Sequence, residues 1–143
     1  MAGMTIIVRT ISRLLFPFMF LFGIYVIIHG HLTPGGGFQG GVILAASVIM
    51  LLLAYGIERA QAKVNVLQAE LAESLGGLIL VGLGLLGVAL SIAFLKNVLP
   101  FGELGHVFSA GNLPVLNISV SIKVAAGLLT IFYAMLRLQG GKE

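Results

Sequence analysis

Apolar residues along this chain gather into four long runs, separated by breaks of quite different character. A membrane-spanning helix needs about 20 mostly apolar residues, within a range of about 17–25. The first run extends from about Leu14 to Ile28, with an alternative start near Ile6 that takes in Arg9 and Arg13. The second covers about Phe38 to Ile57. The third, Ser74 to Leu95, carries no charge, and the fourth, Leu116 to Leu136, contains Lys123. The pattern predicts an all-α integral membrane bundle of four transmembrane helices, forming one domain over residues 1–143. Positive residues precede the first run, as in a signal peptide, but no small-residue cleavage site follows it, so it reads as a retained helix.

The breaks are short and glycine-rich from His29 to Gly37, polar from Glu58 to Glu73, and longest from Lys96 to Asn117. In the second, Val64, Leu67 and Leu71 recur at helical spacing among Glu58, Arg59, Lys63, Gln68, Glu70 and Glu73. That spacing predicts a short amphipathic helix lying at the membrane interface. On this division no acidic residue falls inside a span, so a partner for Lys123 is expected on another subunit, a backbone carbonyl or water. Pro100, Pro114, Gly102, Gly105 and Gly111 punctuate the third break.

Composition narrows the class further. Apolar residues make up 59% of the chain and charged residues 9%, whereas a soluble domain carries about 25% charged residues. So much apolar surface needs lipid or partner helices to cover it. The chain has no cysteine, which excludes disulfides, thiolate metal sites and cysteine nucleophiles. Its net charge of +3 is scattered, which argues against nucleic-acid binding. Basic residues are instead sorted by side. Arg9, Arg13, Arg59, Lys63, Arg137 and Lys142 fall at the termini or in the second break, and only Lys96 falls opposite. Cytoplasmic loops are the ones enriched in Lys and Arg, so both termini are expected in the cytoplasm and the glycine-rich break outside.

Glycines mark where helices approach one another. Gly36, Gly37, Gly40 and Gly41 form two overlapping G-x-x-x-G spacings, and Gly76, Gly77, Gly82, Gly84 and Gly87 line the third run. Lipid tails are as apolar as leucine, so helices associate in membranes by close van der Waals contact that small residues permit. Packing is therefore the favoured reading of these glycines.

Chemistry-bearing residues are few. Lys123 stands first, because a charge at a helix centre costs about 2.5–3.5 kcal/mol on insertion scales and marks an ion or proton pathway by default. Snorkelling of its long stem to the interface is the plain alternative. His29, His31 and His106 share one predicted side, and an imidazole can relay protons or bind metal near neutrality. Polar residues at a helix end is the favoured reading of the three, since only Glu103 accompanies them. Pro34 stops the first helix, and Gly35 to Gly37 allow a tight reversal whose amides could meet an anion or pack against a neighbour. The turn lacks the lysine of a phosphate loop. No credible Ser/His/Asp set or carboxylate pair exists, so no catalytic residue, cofactor or metal is expected.

The string Gly30, His31, then Pro34, Gly35, Gly36, Gly37, Phe38, Gln39, Gly40 and Gly41, at the first turn of a small four-helix protein, closely resembles the B subunit of multisubunit Mrp-type sodium/proton antiporters. The resemblance spans essentially the whole chain, including the last helix after Gly111-Asn112-Leu113-Pro114. Related subunits occur in archaeal membrane-bound hydrogenases and similar redox complexes, where an Mrp-like module couples electron transfer to ion translocation. The resemblance implies a non-catalytic, multi-pass subunit of a prokaryotic plasma membrane complex. Its implied partners are the other antiporter-module subunits and lipid, with redox subunits in the second setting. Its larger neighbours would carry most of the ion path. A self-sufficient small transporter or channel is the reading from a different class.

Overall fold

The computed structural model describes residues 4–56, 66–91, 93–102, 105 and 109–140. They form four helices: α1 (Ile6–His29), α2 (Gly37–Tyr55), α3 (Val66–Ser91) and α4 (Leu113–Gly140). Each is long and apolar enough to cross a bilayer, and no strand occurs among the described residues. The chain is an all-α membrane bundle.

Two boundaries correct the expectations from sequence. The third helix starts at Val66 rather than Ser74. Residues 66–73 are its first two turns, not part of a separate interfacial helix, and residues 57–65 lie outside the described part. The reason is local. Val66-Leu67-Gln68-Ala69-Glu70-Leu71-Ala72-Glu73 holds no Gly or Pro and is rich in helix formers. Its Val66 and Ala69 also pack into a cluster with Leu52, Leu129 and Tyr133. Glu70 and Glu73 therefore stand inside a spanning helix, contrary to the expectation that no span holds an acid. At its other end α3 stops at Ser91 rather than Leu95, and Leu95 itself takes φ 58° in the chain that follows. The Phe94 ring folds back onto Gly84, where a side chain would collide with it.

The remaining limits follow ordinary chain chemistry. α1 takes the earlier start and carries Arg9 and Arg13 in its first two turns. α2 ends where Gly56 adopts φ 87°. α4 opens at Leu113, with Pro114 at a first-turn position where a missing N–H is no loss.

In space the helices run in the order α1, α2, α4, α3. α4 is central: it packs along both α2 and α3, and touches α1 more lightly. α2 and α3 approach each other around Tyr133 of α4, which is almost fully buried with Leu52. Three buried hydroxyls are satisfied within their own helix. The hydroxyls of Ser47, Ser119 and Ser121 donate to the carbonyls of Leu44, Leu116 and Ile118 at 2.7–2.9 Å. Such bonds suit a medium with no water to supply partners. The outer surfaces of α1 and α3 remain apolar, from Ile6, Leu14 and Phe18 to Leu71, Leu78 and Leu85.

Candidate functional site

The glycine turn is built from the end of α1. The His29 carbonyl accepts the N–H groups of Leu32 (2.8 Å) and Thr33 (3.0 Å), and also the Thr33 hydroxyl. Pro34 then blocks further helix, and Gly36 caps α2 at φ 140°, ψ −177°, a backbone state that side chains disfavour. The Gly36 carbonyl accepts the Gly40 N–H at 3.1 Å, which starts the helix.

The glycines that follow divide between two neighbours. A Cβ on Gly40 would strike Ile27 of α1 and lie 3.0 Å from the Gly23 carbonyl oxygen. On the other face, a Cβ on Gly37 would strike the Asn117 backbone of α4, and one on Gly41 would lie 2.7 Å from the Ser121 carbonyl oxygen. The overlapping spacings thus seat α2 against α1 through one face and against α4 through the other. Phe38 and Gln39, between the glycines, are exposed.

His29 closes α1 with its ring stacked on Tyr25, centroids 4.4 Å apart. His31 sits in the turn. His106 and Glu103 lie outside the described residues. Among the described residues no three His, Cys, Asp or Glu side chains are placed to hold a metal ion.

Lys123 lies deeper in its helix than a start at Leu116 implies. With α4 starting at Leu113 it lies ten residues in, about 15 Å along the axis. Its Nζ is 3.8 Å from Glu73 Oε1 of α3, and the two side chains are 50% and 36% exposed. The expectation that any partner of Lys123 lies outside this chain's side chains is therefore corrected. The hydropathy pattern leaves Glu73 in a connection, whereas the helix that begins at Val66 carries it to the level of Lys123. Glycines frame the pair. A Cβ on Gly76 would lie 2.9 Å from the Lys123 backbone nitrogen, one on Gly77 3.5 Å from Nζ, and one on Gly127 3.6 Å from the Glu73 carboxylate. The helices are close enough here for the acid and the base to meet across their outer edge. The signal that could have located Glu73 was the unbroken run of helix formers upstream of Gly76.

Beyond α3 the chain is tied by two asparagines. Asn112 Oδ1 accepts the N–H groups of Val98 (3.4 Å) and Leu99 (3.2 Å), while its Nδ2 donates to the Lys96 carbonyl (3.1 Å). Asn97 Oδ1 accepts the Asn112 N–H at 2.7 Å. These bonds fix the approach to α4.

Known proteins share both the sequence and the arrangement. Residues 7–130 match the family model described as a domain related to the MnhB subunit of Na+/H+ antiporter. An uncharacterized protein of Methanocaldococcus jannaschii is 35% identical over 137 residues, covering 87% of this chain and 51% of that protein. A Staphylococcus aureus protein named as an antiporter subunit, mnhB2, is 40% identical over 53 residues, 37% of this chain and 38% of its own. Among solved structures, a chain of the membrane-bound sulfane sulfur reductase, an archaeal respiratory membrane complex, superposes with a TM-score of 0.79. It is 34% identical, and the match covers 92% of this chain and 58% of that one. This chain thus spans little more than half the length of the Methanocaldococcus protein and of the sulfane sulfur reductase chain.

Proposed function

The chain belongs to the MnhB family of Na+/H+ antiporter subunits, and we propose that it serves as a non-catalytic membrane subunit of a cation/proton antiporter module within a hetero-oligomer. The observation that carries this reading is the glycine turn from Gly30 to Gly41, which lies in the family's matched region and whose glycines are spent on contacts with α1 and α4. A segment so used organises the subunit rather than binding a substrate. The exposed apolar faces of α1 and α3 are suited to lipid and to neighbouring membrane subunits. Its residence is the plasma membrane of a prokaryote, with both termini cytoplasmic, a placement supported by the Lys and Arg distribution. Lys123 stands beside the ion path, with His29, His31 and His106 as further candidates near the outer end.

A second reading has its own support in the sulfane sulfur reductase superposition. On that reading the same subunit works in a redox-driven complex, with the antiporter-like module coupled to electron transfer. Purification of the intact complex separates the two. A set of membrane antiporter subunits alone supports the first reading, and redox-active metal partners that co-purify stoichiometrically overturn it in favour of the second. Reconstitution addresses the third possibility, a self-sufficient transporter. Sodium-dependent proton flux is expected from the whole complex in liposomes. The same flux from this chain alone would overturn the accessory role.

A further inference from the structure

Three ionisable side chains on the outer edge of the α3–α4 pair are stepped in depth. Counted from Val66, Glu70 is four residues into α3, Glu73 seven, and Gly77, whose level the Lys123 ammonium shares, eleven. At 1.5 Å per residue these stand about 6, 10 and 16 Å from the helix start. The spanning part of α3 is 25 residues long, about 37 Å, so the ammonium sits near mid-membrane. We infer that Glu70, Glu73 and Lys123 form a proton half-path leading from the Val66 end of α3 to the centre of the bilayer.

Several observations support this over a structural ion pair. Charges at membrane depth face a bundle interior, a partner or a water-filled cavity rather than lipid. Here both paired side chains are partly exposed and turned outward from the chain, so the complex must cover or hydrate them. At 3.8 Å the contact is loose, whereas a charge-assisted bond built to lock two helices closes to about 2.7–2.9 Å. Glu73 meets the ammonium and Glu70, three residues earlier, lies exposed on the same face of α3, so two carboxylates and one ammonium give the path a net negative charge that attracts protons. Among the described residues few other groups enter the balance; Glu58, Arg59 and Lys63, just before Val66 in sequence, lie outside them. α2 contains no charged residue. On α4, which among the described residues packs most closely along α3, the other titratable or charged side chains are Tyr133, in the apolar cluster, and Arg137, fourteen residues beyond Lys123 in sequence. Arg9 and Arg13 belong to α1, which does not pack on α3.

The transfer balances as follows. A proton entering at Glu70 passes to the Glu73 carboxylate and neutralises it, and the ion pair opens. The freed Lys123 ammonium gives one proton to water or a base on the far side of the path. The Glu73 carboxyl then returns its proton to the amine, which restores carboxylate and ammonium. One proton leaves for each that enters.

The half-path rests on the antiporter-module reading, and the test keeps the two apart. The intact complex is reconstituted in liposomes with wild-type subunit, E73Q, K123A, E70Q or the exchanged pair E73K/K123E, and sodium-driven proton flux is measured beside subunit recovery. E73Q and K123A are expected to lower flux at least tenfold with the complex assembled, and E70Q several-fold. The exchanged pair keeps opposite charges and is expected to assemble, yet to carry a tenth of the flux or less, because a cation then stands at the entry step. Wild-type flux in E73Q and K123A, or its restoration in the exchanged pair, would overturn the half-path in favour of a structural ion pair. Absence of exchange in the wild-type complex would sink the antiporter reading instead. In that event the half-path is read by infrared difference spectroscopy of the complex across a pH step. A carboxyl band lost in E73Q supports proton uptake at Glu73, and an unchanged spectrum overturns it.

Discussion

Gly37 shows how little room single residues leave in this molecule. Its missing side chain is replaced by the backbone of Asn117, and backbone cannot rotate away as a side-chain tip can. Gly37→Ala is expected to destabilise the chain by about 1–3 kcal/mol, the usual range for overpacking. A lower melting temperature in detergent and lower recovery in the complex would record it. Gly82 is the useful contrast, since a Cβ there meets nothing within 4 Å. Gly82→Ala should be neutral or stabilising by about 0.5–1 kcal/mol in the isolated subunit, as expected for relief of glycine's backbone entropy in a helix. If that variant is stable alone but excluded from the complex, a partner helix covers that face of α3. Its unchanged assembly would assign the face to lipid.

At the scale of elements, α3 and the connection to α4 carry the chemistry that the apolar pattern hides. The first two turns of α3 are helical because nothing in residues 66–73 opposes helix and Ala69 has a place beside Tyr133. That continuation moves Glu73 from a connection to a position across from Lys123. The outer connection depends on Asn112, which is buried and serves two amides and one carbonyl at once. Asn112→Ala leaves those groups without their side-chain partner; Val98 and Leu99 are exposed, so water takes its place and each lost bond costs about 0.5–1.5 kcal/mol. The expected signature is local. Amide exchange at Val98 and Leu99 should accelerate, while the α2–α4 seam keeps its protection. Equal acceleration throughout would show that the connection is not an independent unit.

The whole molecule is a row of helices, α1–α2–α4–α3, in which the last element is inserted between the second and third. Both edges of the row are largely apolar, with Glu70 and Glu73 near the start of α3 as charged exceptions, which fits a subunit flanked by lipid and other membrane chains. Its orientation can be checked directly because the chain has no native cysteine. A cysteine at exposed Thr33 should react with a membrane-impermeant thiol reagent in intact cells, and one at exposed Thr5 only after the membrane is opened. The reverse pattern would overturn the assignment of the termini to the cytoplasm. By itself the sequence determined the number of spans and the family motif. Hydropathy over about 20 consecutive residues is a local quantity, and the bilayer reads it directly. It also marked Lys123 as out of place in a span. It did not reveal the partner, because Glu73 lies fifty residues earlier in the chain and sits at the polar start of an otherwise apolar helix. Which glycine faces which neighbour, the spatial order of the helices and the meeting of Glu73 with Lys123 were decided only by tertiary structure. They depend on the rotation and relative height of packed helices, and that information is carried by shape complementarity between distant segments rather than by any one run of residues.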